Sequence, residues 1–312
     1  MPAGVAALVG VMLAPVGGEA RSTAPEPSPG VDLAGYSRER PAVPVRVLFI
    51  HHSCGGQLLA EPGEENGRAA CILDFHPNGG GLRKRLESQG YEVHEASYGS
   101  ALGESTDLFD WLPKFKTKMD QVLRCSINDE ARIDGLLNQV VMFKSCYPNS
   151  RFLSMGDMPG DPAGFELTVW NAKAAMAALL ELFSKHPGTL FVYWTAPPNA
   201  PKASPERAWK WLSRKLRGKP SIAEAMGSSA ALARTFNDWV KSPNGWLRNY
   251  PLRNVVAYDY FDVLTDHGTS NLLRYPTENG YGSHPSREGQ TKAAEEFVPF
   301  LNSAVRRAGI TP

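Results

Sequence analysis

The sequence predicts an α/β domain in which five parallel strands form one sheet between two layers of helices. Five short runs of apolar residues, many β-branched or aromatic, recur along the chain, and segments with helical character separate them. The runs are Val45–Ile50, Tyr91–Glu95, Gln139–Phe143, Thr189–Trp194 and Asn254–Tyr258. Continuous apolar strands that alternate with helices are typical of a parallel sheet buried on both faces. Five such strands favour a three-layer α/β/α sandwich with flavodoxin-like topology.

The segments between the strands carry helix signals of different strength. Thr168–Lys185 is the strongest, because it is rich in helix formers and repeats apolar residues at three- and four-residue spacing. Gly81–Gln89 is a short amphipathic segment followed by Gly90, a residue type common just beyond a helix end. Further helices are predicted over Asp107–Leu123, Asp129–Leu137, Ser221–Lys241 and Arg287–Ala308, and the Pro- and Lys-rich Pro197–Pro220 is predicted to be an excursion from the sheet edge.

The first 44 residues predict two segments ahead of a single domain over residues 45–312. Val5–Leu13 is apolar and rich in small residues, and Gly18-Glu19-Ala20 resembles a small-x-small cleavage site. Residues 1–20 therefore predict a secretory signal peptide, although the usual basic start is missing, and a disordered tail is the alternative. Residues 21–44 contain five prolines with Ser, Gly and Glu, which predicts a flexible leader. We accordingly expect a secreted or periplasmic protein.

The charge balance argues against nucleic-acid and membrane partners. The 312 residues carry a formal net charge of +1, and no later stretch approaches the ~18 uninterrupted apolar residues of a membrane span. The basic run Arg207–Arg217 is interpreted as the solvated face of a helix.

The four cysteines permit three disulfide pairings. They are Cys54, Cys71, Cys125 and Cys146, and none of their spacings is the Cys-x-x-Cys of a zinc knuckle. Cys54–Cys71 would close the shortest loop and hold the segment after Ser53, with buried free thiols as the alternative.

Two polar residues at opposite ends of the domain predict nucleophilic catalysis. Sites in open parallel sheets form beyond the carboxyl ends of the strands. Ser53 follows the first strand and precedes Gly55 and Gly56, which allow a tight turn, and His284 directly precedes the last helix. Serine needs a base near neutral pH, and histidine is the side chain best suited to that task. Alone, Ser53 would be interpreted as a helix cap and His284 as a surface histidine, but together they favour catalysis.

Two further loops at the same edge carry residues that suit an oxyanion hole. Gly99 follows the second strand and can present its backbone N–H to a developing oxyanion. Asn149 follows the third strand, and its amide can add another donor.

The order of these four blocks resembles that of the SGNH (GDSL-like) serine hydrolases. The stretches VLFIHHSCGG, ASYGS, VVMFKSCYPNS and GSHPSREGQ carry the likeness, which spans Val45 to Leu301. The resemblance implies that Ser53 is the nucleophile and His284 the base. It also implies an oxyanion hole formed by the Ser53 and Gly99 backbone N–H groups and the Asn149 amide.

The chain departs from the family pattern in three of the four blocks. The usual Gly-Asp-Ser is His-His-Ser here, and the third block lacks Gly-x-Asn-Asp, so that Ser145 competes with Asn149. The aspartate expected three residues before the histidine is replaced by Tyr281. Either a backbone carbonyl near Tyr281 orients His284 in a Ser–His dyad, or an acid comes from elsewhere. The candidate acids are Asp259, Asp262 and Glu278.

Two other groups of residues permit alternative interpretations. His51, His52, Asp74 and His76 are metal-type ligands, but adjacent histidines on a strand point to opposite sides, so we expect one to pack under the site and the other to contact substrate. The seven tryptophans are either core residues or sugar-stacking platforms; they are Trp111, Trp170, Trp194, Trp209, Trp211, Trp239 and Trp246.

The function predicted from the sequence is that of a secreted serine esterase. It would hydrolyse carboxylic esters through an acyl-enzyme without a cofactor, with a small-molecule or polysaccharide ester as substrate and O-acetyl groups on carbohydrates as the leading class. The alternatives are a non-catalytic carbohydrate-binding relative and a lipid-ester or glycoside hydrolase on the same fold.

Overall fold

The computed structural model describes Met1, residues 31–203 and residues 208–311. Apart from Met1, the predicted signal peptide and the first ten residues of the predicted leader lie outside this part of the chain. No helix of the described residues is long and apolar enough to cross a membrane.

The helices and strands of the described residues alternate over most of the chain. The helices are α1 Ser53–Leu59, α2 Leu82–Ser88, α3 Trp111–Arg124, α4 Val169–Ser184, α5 Ala208–Leu216, α6 Ile222–Lys241, α7 Tyr260–Leu264 and α8 Arg287–Arg307. The strands are β1 Val45–Ile50, β2 Glu61–Pro62, β3 Asn66–Ala69, β4 Ile72–His76, β5 Tyr91–Ala96, β6 Cys125–Ile127, β7 Glu130–Ala131, β8 Val140–Lys144, β9 Leu190–Trp194, β10 Val255–Tyr258, β11 Pro276–Thr277 and β12 Gly282–Pro285.

The central sheet contains the five predicted strands and two short strands at one edge. Its order is β10-β9-β8-β1-β5-β6-β7, and every neighbouring pair is parallel except β6 and β7. The five long strands, numbered along the chain, have the 2-1-3-4-5 order of flavodoxin-like sheets. The prediction of a five-stranded sheet is therefore wrong in number, because the sheet has seven strands within the described residues. β6 and β7 are too short to show a periodic apolar pattern.

The predicted helix over Asp129–Leu137 is also wrong. Glu130–Ala131 forms β7, which pairs antiparallel with β6, and the Arg132 N–H donates to the Arg124 carbonyl at 2.7 Å. Asn128 and Gly135 have positive φ angles of 53° and 70°, which a right-handed helix does not allow. The chain therefore turns back on the end of α3 instead of continuing as a helix.

Alternation along the strands divides the core into two layers. Val45, Val47 and Phe49 of β1 pack with apolar residues of α1, α2 and α8, whereas Leu48 and Ile50 pack on the other face with α3, α4 and α6. Helices cover both faces, so the sheet is buried as predicted. Two helix starts carry the expected caps: Thr168 Oγ1 accepts the Asn171 N–H, and Ser221 forms a capping box with Glu224.

Residues 31–44, the described part of the predicted leader, lie against α8. Val31 and Leu33 pack on the core layer that contains α8. The Arg306 guanidinium donates to the carbonyls of Glu39 and Arg40 at 2.7 and 2.9 Å.

Candidate active site

Ser53 and His284 meet at the carboxyl edge of the central sheet. Ser53 begins α1 three residues after the end of β1, and His284 lies in β12 just before α8. Their side chains are hydrogen-bonded, with 3.0 Å between Ser53 Oγ and His284 Nε2. The distance is within the range required between a nucleophile and its base, although 231 positions separate the two residues along the chain.

The turn that carries Ser53 depends on two glycines. A Cβ on Gly55 would lie 2.4 Å from the His51 Cβ, and one on Gly56 would lie 2.1 Å from the Cys71 carbonyl oxygen. Both distances are too short for a side chain, so the first turn of α1 packs directly on the His51 side chain and on the Cys71 backbone. The glycines therefore permit close packing of the turn as well as its tight bend.

His284 is oriented by aromatic packing and by its strand. The Tyr147 ring meets the imidazole edge to face at 5.3 Å between ring centroids. The Thr277 hydroxyl of β11 donates to the His284 carbonyl at 3.0 Å. Among the described residues, no acceptor is hydrogen-bonded to His284 Nδ1, neither a backbone carbonyl near Tyr281 nor the exposed Glu278 carboxylate.

The other two candidate acids belong to a separate ionic cluster around α7. Asp259 caps α7 and lies 3.1 Å from Lys241 Nζ, while Asp262 accepts from Arg234. Burial raises the pKa of Asp259 against the opposing charge of Lys241. Burial opposes ionisation of Asp262 as well, but the charge of Lys241 and the Arg234 hydrogen bond outweigh it and hold the pKa of Asp262 below its ordinary value. Neither carboxylate is hydrogen-bonded to His284.

The Gly99 backbone N–H already has a partner. It donates to Glu104 Oε1 at 2.8 Å, and Gly99 has a φ angle of 82° in a turn that is open to solvent. To stabilise an oxyanion, this group would have to exchange the Glu104 carboxylate for the substrate.

The Asn149 amide also donates to a carboxylate already. Its amide nitrogen donates to Asp107 Oδ1 at 2.7 Å and to the Cys146 carbonyl at 3.3 Å, and its oxygen accepts the Leu108 N–H at 2.7 Å. The competing Ser145 is fully buried, and its hydroxyl accepts from Trp111 Nε1 at 2.9 Å.

The loop after β8 brings the Cys146 sulfur next to Ser53 and Cys54. No pattern in the sequence predicted this contact. Cys146 Sγ lies 3.3 Å from Ser53 Oγ and 3.4 Å from Cys54 Sγ. Burial raises the pKa of the Cys71 thiol to about 11. All four cysteines are free thiols, so the Cys54–Cys71 disulfide is not formed in this structure. The only sequence signal for the contact between Cys146 and Ser53 was the position of Cys146 in KSCYPNS, the stretch that follows the third predicted strand.

A buried lysine lies next to this group. Lys144 ends β8 with no exposed surface, and its Nζ donates to the Ser145 carbonyl at 3.1 Å. No carboxylate of the described residues forms an ion pair with it. The hydrogen bond between the Cys54 and Cys146 thiols, together with the charge of Lys144 and a contact with Ser53, holds the pKa of Cys146 below its ordinary value in spite of burial.

The two adjacent histidines point in different directions. His51 is fully buried, and its Nε2 lies 2.9 Å from Glu95 Oε2. His52 stacks on Tyr98 with 3.6 Å between centroids and donates from Nε2 to the Gly103 carbonyl. Burial lowers the pKa of His52.

The alternative metal constellation is not assembled. Asp74 Oδ1 lies 3.3 Å from Arg68 Nη2, and His76 Nε2 lies 3.5 Å from Glu65 Oε2. Within the described ranges, no three His, Cys, Asp or Glu side chains are arranged to hold a metal ion.

The tryptophans fall into three groups by exposure. Trp111, Trp194 and Trp246 are buried in the core, whereas Trp209 and Trp211 on α5 are 63% and 51% exposed. Trp170 and Trp239 are half-buried.

Comparisons with known proteins add little to this geometry. No family model and no curated protein matches the chain. One solved structure, described as a gut microbial diltiazem-metabolizing enzyme, aligns with a TM-score of 0.43 and 11% sequence identity. The alignment covers 84% of this chain and 48% of that one, so this chain spans about half the length of its structural neighbour.

Proposed function

We propose that this protein is an SGNH-type serine esterase that hydrolyses carboxylic esters through an acyl-enzyme. The observation that carries the proposal is the 3.0 Å contact between Ser53 Oγ and His284 Nε2 at the carboxyl edge of a 2-1-3-4-5 sheet. Ligand sites form at this edge, and a hydroxyl bonded to an imidazole is the arrangement that activates serine.

The reaction then follows from the two side chains. Ser53 Oγ attacks the ester carbonyl while His284 Nε2 takes the hydroxyl proton, and the carbonyl oxygen becomes an oxyanion. His284 returns that proton to the leaving alkoxide, and the acyl group stays on Ser53. Water attacks the acyl-enzyme with His284 again as base, which releases the carboxylic acid and restores Ser53.

The oxyanion donors have to be released by substrate binding. The Ser53 N–H, at the start of α1, is the first predicted donor. Gly99 and Asn149 remain the predicted second and third donors, each after exchange of a carboxylate partner. This requirement favours substrates that reorganise the loops after β5 and β8.

We further propose that the site works as a Ser–His dyad. His284 Nδ1 has no hydrogen-bonded acceptor within the described ranges, and Tyr147 orients the ring instead. A dyad lacks the rate contribution of an orienting carboxylate, so we expect slow turnover of unactivated esters. The same observation favours the second candidate function, a non-catalytic carbohydrate-binding relative. Export to an extracytoplasmic compartment and an acetylated polysaccharide as substrate complete the proposal, and both rest on the sequence alone.

A serine-directed fluorophosphonate probe tests enzyme against binder. We expect covalent labelling of the Ser53 tryptic peptide in wild type, none in Ser53→Ala, and full labelling in Ser88→Ala, a matched variant at an exposed serine on α2. Hydrolysis of nitrophenyl acetate and of acetylated sugars should follow the labelling pattern. A wild type that folds but neither reacts with the probe nor cleaves any ester would contradict the esterase and support the binder.

A further inference from the structure

Two thiols beside the nucleophile lie close enough to form a disulfide. Cys54 is in the first turn of α1, Cys146 is in the loop after β8, and their sulfurs are 3.4 Å apart. A disulfide requires about 2.05 Å, so the sulfurs need to approach by little more than one ångström. This pair differs from Cys54–Cys71, the pair that closes the shortest loop in the sequence.

Of the two thiols, Cys146 is the one next to the reacting atom of the site. Cys54 has no exposed surface and Cys146 is 9% exposed, so neither is open to bulk solvent. Cys146 Sγ lies 3.3 Å from Ser53 Oγ, so a molecule that reaches Ser53 also comes within reach of Cys146. The buried charge of Lys144 favours the thiolate of Cys146, which is the reactive form.

The fourth cysteine has no such environment. Cys125 Sγ donates to the Asn128 carbonyl, and burial raises the pKa of Cys125 to about 12. Its thiol is therefore almost entirely protonated at neutral pH and serves as an internal reference for a structural cysteine.

We propose that Cys54 and Cys146 form a site of reversible oxidation by low-molecular-weight disulfides, and that the Cys54–Cys146 bond switches off Ser53. The second half of this inference rests on the proposed esterase function. The bond would join the turn that carries the nucleophile to the loop that carries Tyr147 and Asn149.

The oxidation proceeds by two thiol–disulfide exchanges. The Cys146 thiolate attacks the small disulfide, forms a mixed disulfide and releases one small thiolate. Cys54 then attacks the Cys146 sulfur of that mixed disulfide, and its thiol proton passes to the second small thiolate as that group leaves. The protein loses two electrons and two protons in all, and the oxidant becomes two thiols.

The switch acts through geometry. Cys54 is the neighbour of Ser53, so drawing its sulfur toward Cys146 shifts the turn that holds the nucleophile. Cys146 Sγ also leaves its contact with Ser53 Oγ. A displacement of about 1 Å at a reacting atom costs up to about 10²-fold in rate, and we expect the oxidised form to be at least about ten-fold less active.

The pairing is tested by peptide mapping. Wild type is equilibrated with oxidised glutathione, alkylated and digested with trypsin, which places the four cysteines on four different peptides. We expect a cross-link between Val47–Arg68 and Ser145–Arg151 that dithiothreitol removes. A cross-link to the Cys71 peptide, or no cross-link, overturns the pairing.

The switch is tested by the ratio of oxidised to reduced activity within each variant. We expect the ratio to be about 0.1 or lower in wild type and in the matched control Cys71→Ala, and close to 1 in Cys146→Ala, which lacks the thiol that forms the mixed disulfide. An unchanged or higher activity in cross-linked wild type overturns the switch. If reduced wild type neither cleaves esters nor reacts with the fluorophosphonate, the proposed function and the control of Ser53 are overturned together. An active reduced protein with a wrong linkage overturns only the disulfide.

Discussion

Two histidines near the first turn of α1 show how differently the molecule uses the same side chain. His51, below the turn, is fully buried and bonded to Glu95, which is 2% exposed and also accepts from Arg83. His284, above the turn, is half-buried and bonded to Ser53, with no carboxylate partner in the described part of the chain. The molecule thus contains a buried histidine–carboxylate pair, but that pair supports the site from beneath.

The two histidines differ in their exposure to solvent, and we expect the buried one to contribute to stability and the half-buried one to reactivity. In the lower network of Arg83, His51 and Glu95, the last two side chains are screened from water, and removal of Glu95 or Arg83 leaves the other charge unpaired. The upper pair, Ser53 and His284, remains open enough to receive a substrate. We therefore expect substitutions in the lower network to change stability and substitutions in the upper pair to change turnover.

The largest expected effect is on the upper pair. Ser53→Ala and His284→Ala should each lower kcat/KM by at least about 10³-fold with little change in the free energy of unfolding, because members of one catalytic unit act together. The double variant should be about as inactive as either single variant. A double variant far less active than both would show that the two residues act independently.

The Asn149→Ala variant tests whether the Asn149 amide is an oxyanion donor or only a structural group. If the amide exchanges Asp107 for the oxyanion, kcat should fall about 10²–10³-fold while KM changes little. Steady-state kinetics measures this division, with Ser145→Ala as the competing variant. A change confined to KM, or a larger loss of kcat in Ser145→Ala, would remove Asn149 from the oxyanion hole.

Glu95→Gln tests the lower network. Removing the charge leaves the Arg83 guanidinium without a counter-charge and His51 without its carboxylate partner, and we expect a loss of about 3 kcal/mol in the free energy of unfolding. The matched control is Glu92→Gln on the same strand, whose carboxylate is 49% exposed and should contribute less than about 1 kcal/mol. Equal losses in urea titrations of the two variants would contradict the assignment.

The contribution of Glu95 to the free energy of unfolding should decrease at low pH. Burial opposes ionisation of Glu95, but the His51 hydrogen bond and the Arg83 charge outweigh it and hold the pKa of Glu95 below its ordinary value. A carboxyl group with a lowered folded-state pKa stabilises the protein above its unfolded pKa of about 4.3, and that contribution is lost as the pH falls through the folded pKa. The difference between wild type and Glu95→Gln should therefore shrink below about pH 4.3. A constant difference from pH 7 to pH 3 would be inconsistent with this account.

The smallest expected effect is on the orientation of His284. Tyr147→Ala removes the edge-to-face contact and should lower kcat by about ten-fold, which corresponds to about 1.4 kcal/mol. Tyr147→Phe keeps the ring and should retain most of the activity. If both variants lose activity equally, the hydroxyl rather than the ring is the group that matters.

The position of the site followed from local patterns, but its hydrogen bonds did not. Ser53 and His284 were predicted from their places after the first strand and before the last helix, and they are 3.0 Å apart. The partners of Gly99 and Asn149 come from the loop after β5 and the start of α3, so no local pattern in either block could reveal them. The order of strands in the sheet decides which loops meet, and that order depends on long-range pairing.

By itself, the sequence determined the five long strands, most of the helices and the edge of the sheet where the site lies. These features follow from apolar periodicity, helix caps and glycines, which act over a few residues. Only the tertiary structure decided that β6 and β7 extend the sheet, that Glu95 pairs with His51, and that Cys146 rather than Cys71 approaches Cys54. The physical reason is that these contacts join segments distant in the chain, and their partners are selected by the packing of the whole domain.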